Sequence, residues 1–412
     1  MKEWEIKKLS EICHFVRGPF GGSLKKDIFK QDGYAVYEQQ HAIYNQFSSI
    51  RYFIDTKKFD EMKRFEIKPG DLIMSCSGTM GKVAIVPEQI KPGIINQALL
   101  KLTPTRKVLN KYLKIWLQSE SFQESLKAFS LGAAIQNVAS VSILKNIQIP
   151  LPPLSEQKRI VSILDEAFAA IDNANANAEK NLKNTKELFE SYLQSVFENK
   201  GEGWEEKKLN TTFNIKPPKK EAKENLNEDD SVSFIPMEDL GILMKNVLGK
   251  KERKLKEVQG SYTYFADNDV LMAKITPCFE NGKLGIARNL RNGIGFGSSE
   301  FIVFRSNGNV VPDFLFYFLS QNLIRNVGSK LMTGAVGHKR VSKDWVENYK
   351  ISYPISIHEQ EIIVQKLDTL SERTKYLEYT YHKKIESLDE LKKSLLQKAF
   401  SGELTAKEPI TV

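Results

Sequence analysis

From Leu154 the chain reads LSEQKRIVSILDEAFAAID, and apolar residues then return every three or four positions: Ile160, Leu164, Ala167, Ile171, Ala174, Ala178, Leu182, Thr185, Phe189, Tyr192, Val196. The steps alternate between four and three, the period of a helix that pairs with another helix, except for one doubled four from Ala178 to Leu182. A second series runs Ile363, Leu367, Leu370, Thr374, Leu377, Tyr381, Ile385, Leu388, Leu391, Leu395, Ala399, and its first doubled four falls from Tyr381 to Ile385, 203 residues after the one in the first series. Two seams with matching irregularities predict two long helices packed on each other, and because each globular region must leave its helix at the opposite end from its partner, the expected pair is an antiparallel coiled coil. Their expected interface is Ile160, Leu164, Ile171, Leu182 and Phe189 against Ile363, Leu367, Leu370, Leu377, Ile385, Leu388 and Leu395. A helix of about 42 residues would be roughly 60 Å long and could serve as a spacer rod. The other reading is two independent helices, each lying on its own globular region.

Ahead of each helical stretch the pattern changes to short β-rich runs broken by Gly, Pro and Asn. They are YAVYEQQ, DLIMSCSG, KVAIVP and ALLKLTP in the first region, and SVSFIPM, DVLMAKI, LGIAR and EFIVFR in the second. One amphipathic helix follows in each, NKYLKIWLQSESFQESL and VPDFLFYFLSQNLIRNVG. The two regions repeat one another segment by segment: WEIKKL and WEEKKL, Asp71 and Asp269, Gly132 and Gly334, SEQKRIVSILD and HEQEIIVQKLD, at separations of 198 to 203 residues. Several matches in one order mark an internal duplication. The fold class is therefore α+β with an internal pseudo-twofold repeat. Its segments are mixed α/β domains at 1–153 and 204–353 and helical regions at 154–203 and 354–412.

The net charge of +9 on 412 residues gains meaning from where it lies. Lys and Arg outnumber Asp and Glu by 22 to 14 over 1–153 and by 23 to 18 over 204–353. The helical stretches carry 6 against 9 and 9 against 10. A basic surface confined to the globular regions points to a polyanion as their partner. No apolar run is long enough for a membrane span and the start has no export signal, so the expected location is cytoplasmic.

Cys13, Cys76 and Cys278 are too few and too scattered for a disulfide framework, and the five histidines make no metal-ligand spacing. SGTMGKVAI lacks the spacing of a phosphate loop and reads as a turn between strands. Neither a nucleophile elbow, nor HExxH, nor the motifs of an adenine methyltransferase occur. Catalytic residues and metal ligands are thus expected to be none.

The duplicated PPLSEQKRIVSILD and ISIHEQEIIVQKLD resemble the specificity subunit of Type I restriction-modification systems, over the whole length. The second copy departs where ISYPISIHEQ replaces IPLPPLSEQ. The resemblance implies two target recognition domains, each followed by a conserved helical region. Each domain would read one half of a bipartite, asymmetric site in double-stranded DNA, and the helices would fix the spacer. Two modification subunits, carrying S-adenosylmethionine, would dock on the helical regions. Restriction subunits using ATP and Mg²⁺ would then join, and this chain would hold no cofactor.

Base reading calls for polar side chains on loops, with Lys and Arg on phosphates. The candidates in the first domain are Arg17, Lys25, Lys26, Gln39, Gln40, His41, Ser77, Thr79, Lys82, Asn96, Gln97 and Gln136. In the second they are Lys216, Lys219, Lys220, Lys274, Thr276, Lys283, Ser298, Ser299, His338, Lys339 and Arg340. Two other classes compete: a self-contained methyltransferase or nuclease, revealed by activity of the isolated chain, and a protein scaffold, revealed by salt-independent association.

Overall fold

The computed structural model describes residues 4–20, 22–128 and 141–406. It divides into two compact units, Met1–Ala178 with Lys383–Val412, and Glu179–His382. The cuts fall in the two long helices, at the doubled four-residue steps of their seams.

In the first unit an antiparallel sheet runs in the order Cys13–Arg17, Leu99–Pro104, Leu72–Ser75, Val83–Ile85. A second sheet pairs Tyr34–Tyr37 with Tyr52–Ile54 antiparallel and with Gly93–Ile95 parallel. The unalternating run Leu72–Ser75 is buried at every position, as a strand covered on both faces must be. The N-terminal strand Glu5–Lys8 pairs with Gln148–Leu151, which leads through Pro152 and Pro153 into the first long helix, Leu154–Glu198.

The second unit repeats this frame with one strand added to each sheet. Phe213–Ile215, Phe301–Ser306, Val270–Ala273 and Leu284–Arg288 follow the same order, extended by Asn246–Leu248. Ser231–Ile235 pairs antiparallel with Lys251–Lys254 and parallel with Ile294–Gly297, which gains Thr263–Ala266 on its other side. Trp204–Lys208 closes on Lys350–Pro354, ahead of the second long helix, Ile357–Ser401.

The repeated motif is the joint between domain and helix. Gln157 is fully buried; its Oε1 accepts from Leu109 N at 2.8 Å, and its Nε2 donates to Lys107 O at 3.0 Å and Pro152 O at 2.8 Å. Gln360 repeats this with Val311 N at 2.9 Å, Asn309 O at 2.9 Å and Pro354 O at 2.8 Å. Each amide therefore ties the entrance of an earlier helix of its domain, Asn110–Leu117 or Pro312–Leu319, to the first turn of the long helix. Further along, Ile160 and Leu164 enter the first core, and Leu367 the second. The aspartates that end the motif pair with domain lysines: Asp165 with Lys111 at 2.8 Å, and Asp368 with Lys245 at 2.6 Å. Asp368 also accepts from Tyr317 Oη at 2.6 Å, and Lys245 reaches Asp313 at 2.9 Å.

The antiparallel pairing is visible inside each unit. The start of the first helix shares a core with the end of the second: Ile160, Val161 and Leu164 pack in one cluster with Ala399, and Leu395, Leu396 and Phe400 lie against it. Lys392 bonds Asp172 at 3.0 Å and covers the Phe168 ring. In the other unit the end of the first helix meets the start of the second, with Leu193 and Phe197 in one cluster with Val364 and Leu367. At 45 residues each helix is roughly 67 Å long.

Several expectations are corrected. Leu193 and Phe197 are buried in place of Tyr192, because the seam rotates toward the second domain at that end. Leu377 is 41% exposed and Leu391 is also exposed, so these two positions face solvent. Ile171 is buried; Leu182, Phe189, Ile363, Leu370, Ile385, Leu388 and Leu395 are half-buried. Each amphipathic helix is two: Asn110–Leu117 and Glu120–Ala128, then Pro312–Leu319 and Asn322–Lys330. Ser119 and Ser320 stand at the breaks, their hydroxyls donating to Trp116 O and Phe316 O at 2.7 Å. YAVYEQQ is strand only to Tyr37, and Gln39–Tyr44 is a short helix.

Gln360→Leu removes three bonds and leaves one N–H and two carbonyls, one of them buried, without their side-chain partner. We expect urea unfolding to show a loss of about 3 kcal/mol, while exposed Ser162→Ala changes stability by less than about 0.5 kcal/mol. Equal stabilities would contradict the joint.

Candidate nucleic-acid interface

In the first domain the loops that leave the strand ends meet at one edge. Gly18 N donates to Leu99 O at 2.9 Å, Asn96 N to Tyr37 O at 2.9 Å, and Cys76 N to Ala98 O at 2.9 Å. Arg17, Ser77, Asn96 and Gln97, with Gln39 and Gln40 two and three residues past Tyr37, are thereby gathered. Gly18 is required there, since a Cβ would lie 1.8 Å from Asn96 O. Arg17 also lies against the Cys76 thiol, yet burial outweighs that charge and pushes the thiol up to about 11. Thr79 and Lys82 sit on the turn between Leu72–Ser75 and Val83–Ile85, as expected of SGTMGK. Ser75 Oγ donates to Thr79 O at 2.6 Å and accepts from Lys82 N at 3.0 Å, and Gly78 and Gly81 take positive φ.

Other candidates fall elsewhere. His41 is fully buried, with Nδ1 2.9 Å from Glu38 N and Nε2 2.9 Å from Ser49 O, and its ring is edge-on to Tyr37. It braces the short helix and offers no edge to a base. Lys25 and Lys26 are exposed on a turn whose Ile28 and Phe29 pack on the smaller sheet. Gln136 lies outside the described residues.

In the second domain, Lys274, Thr276, Ser298, Ser299, His338, Lys339 and Arg340 come together. Thr276 N donates to Lys339 O at 2.9 Å, and Val341 N to Lys274 O at 2.9 Å. Lys274 Nζ reaches Ser299 O at 2.9 Å, and Thr276 Oγ1 reaches Glu280 at 2.7 Å. Arg340 holds Glu300 bidentately at 2.9 and 2.7 Å, which keeps that carboxyl below its ordinary range. Lys283 Nζ bonds Met237 O at 2.6 Å. Lys219 Nζ bonds Gly260 O at 2.6 Å, its affinity for the proton lowered by burial and by Lys216 and Lys223. Lys216 and Lys220 are exposed near it in the chain.

Sequence reasoning missed Gly18, Glu300 and the two motif residues Gln157 and Gln360. The signal for the glutamines was present, since they are identical in both copies. Glu300 had none, because its partner Arg340 is 40 residues away. Among the described residues, no group of three or more His, Cys, Asp or Glu could hold a metal ion, and no helix is long and apolar enough to cross a membrane.

The fold defines a duplicated protein whose α/β lobes are each fastened to a pair of long helices and gather polar and basic loops at their strand ends. The chain belongs to the Type I restriction modification DNA specificity domain family, whose model matches residues 1–184 and again 201–387. That family supplies specificity subunits, which are non-catalytic in Type I systems. The EcoAI specificity subunit of Escherichia coli is 34% identical over 47% of this chain, and the match spans 32% of that protein. The putative MjaX specificity subunit of Methanocaldococcus jannaschii is 25% identical over 98% of this chain and 95% of its own. The HsdS subunit of Thermoanaerobacter tengcongensis shares the fold with a TM-score of 0.62 at 19% identity, covering 98% of each chain. A chain from a structural study of complex assembly and conformational transition of the type I R-M system reaches 0.73 at 18% identity, covering 98% and 99%.

Gly18→Ala forces the Asn96–Gln97 loop away from the first strand. Thermal unfolding should show a loss of about 1–3 kcal/mol; unchanged stability would contradict the close approach.

Proposed function

We propose that this chain is the DNA-reading subunit of a Type I restriction-modification assembly. Each domain reads one half of a bipartite, asymmetric site, and the two helices set the spacer and dock two modification subunits. S-adenosylmethionine, ATP and Mg²⁺ belong to the modification and restriction partners, and the complex works in the cytoplasm.

One observation carries this reading: the same strand register delivers different chemistry to the same places. Asn96 and Gln97 follow Ile95, which pairs with Tyr37; Ser298 and Ser299 follow Gly297, which pairs with Ile235. Cys76 follows Ser75, which pairs with Leu99; Lys274 follows Ala273, which pairs with Phe301. A fixed frame with altered loop ends suits two readers of different half-sites. The basic excess on the domains supplies the phosphate contacts that such reading needs.

Methylated adenines mapped in cells that express this chain with its modification partner should define a two-part site. Replacing residues 204–353 with the matching segment of another family member should alter one half alone, and altered bases in both halves would overturn modularity. Inserting four helical residues at Lys183 adds about 6 Å, so the spacer should change by one or two base pairs. An unaltered spacer would contradict the ruler.

A further inference from the structure

The hairpin Thr333–Arg340 is built unlike the other loops of the second domain. Its arms are closed by Thr333 N to Arg340 O at 3.0 Å and Arg340 N to Thr333 O at 2.8 Å. A second layer fixes it to its neighbour, through the bridge of Ile275 with Arg340 and the bond from Thr276 N to Lys339 O. Underneath, the Arg340 guanidinium grips Glu300, and Lys274 stands 3.9 Å from the same carboxylate. At the tip Gly334 and Gly337 take positive φ, and between them Val336 is 92% exposed, the most exposed large apolar side chain among the described residues.

A scattered exposed valine needs no explanation, but this one crowns a braced loop closed by an antiparallel bridge, with His338 and Lys339 exposed beside it. The major groove, about 12 Å wide, admits an element as broad as an α-helix and so has room for a loop of this kind, and the apolar group on that groove's floor is the C5-methyl of thymine. We propose that this hairpin enters the major groove of the half-site read by the second domain and that Val336 packs on a thymine methyl. Arg340 is a positioning residue: it aims the hairpin through Glu300 and touches no phosphate. This rests on the DNA-reading function proposed above.

The test uses the full chain assembled with its modification subunits, on duplexes carrying the mapped site with each thymine replaced in turn by deoxyuridine. At one thymine of the second half-site, loss of the methyl should weaken wild-type binding about fourfold, the value of one buried methyl group. Val336→Ser should bind the thymine and uracil duplexes alike, with unchanged sensitivity to mutations in the first half-site. Arg340→Lys should weaken site binding while leaving the salt dependence as steep as in wild type, whereas loss of a phosphate contact would lower the slope by about one. Indifference of the wild type to uracil at every thymine, or full methyl discrimination by Val336→Ser, overturns the assignment of the tip. A shallower salt slope for Arg340→Lys overturns the positioning role. If the wild-type assembly showed no preference for its site over random DNA, the DNA-reading function itself would fail, which is a separate result.

Discussion

Two buried glutamines decide how this protein is put together. A side-chain amide in a dry site must find partners for its oxygen and its N–H groups, and one that does so stitches together whatever supplies them. Gln157 and Gln360 each take one N–H and two carbonyls, from the loop before a domain helix and from the proline-bearing turn before a long helix. The direction in which a domain stands on its helix is thereby specified by three directional bonds, which apolar packing alone cannot do. Leucines and isoleucines one and two turns further add the bulk of the burial energy, at about 2 kcal/mol for each fully buried side chain. The closing aspartate adds an ion pair. That pair is exposed in the first domain, where it contributes little, and shielded in the second, where Lys245 is shared by Asp313 and Asp368.

On this footing the polar loops divide into those that hold and those that reach out. Lys283 and Lys219 spend their ammonium groups on backbone carbonyls, Lys274 on Ser299 O, and Arg340 on a carboxylate. Such groups rigidify the strand-end edge of the domain. His41 does the same from the interior. What remains outward includes Ser299, His338 and Lys339 in one domain, and Gln40, Thr79, Lys82 and Gln97 in the other. Rigid loops present these groups at a smaller entropic loss on binding than free loops would.

Much of the architecture was legible in the chain because duplication and helical period are one-dimensional signals. The long helices, the repeat and most strands followed from the pattern along the chain, and the antiparallel sense from where each globular region must leave its helix. The failures have local causes. Leu377 fits the heptad count but faces solvent, and Leu193 takes the place of Tyr192, because the partner surface at that end is a domain as well as a helix. The breaks at Ser119 and Ser320 lie inside continuous apolar periodicity, where a hydroxyl bonded to a carbonyl interrupts a pattern that hydrophobicity alone would continue. For the candidate site, residue type drew candidates from the loops at the strand ends of each domain yet could not separate a lysine that binds a carbonyl from one that is exposed. That distinction depends on partners distant in the chain, as between Arg340 and Glu300 or between Lys219 and Gly260.

The central claim is that two rigidly mounted lobes each address their own stretch of duplex. Missing-base interference on the chain assembled with its modification subunits tests it most directly. The account predicts two clusters of positions at which removing a base abolishes binding, parted by a run at which removal has no effect. A single uninterrupted cluster, or uniform indifference along the duplex, would contradict it.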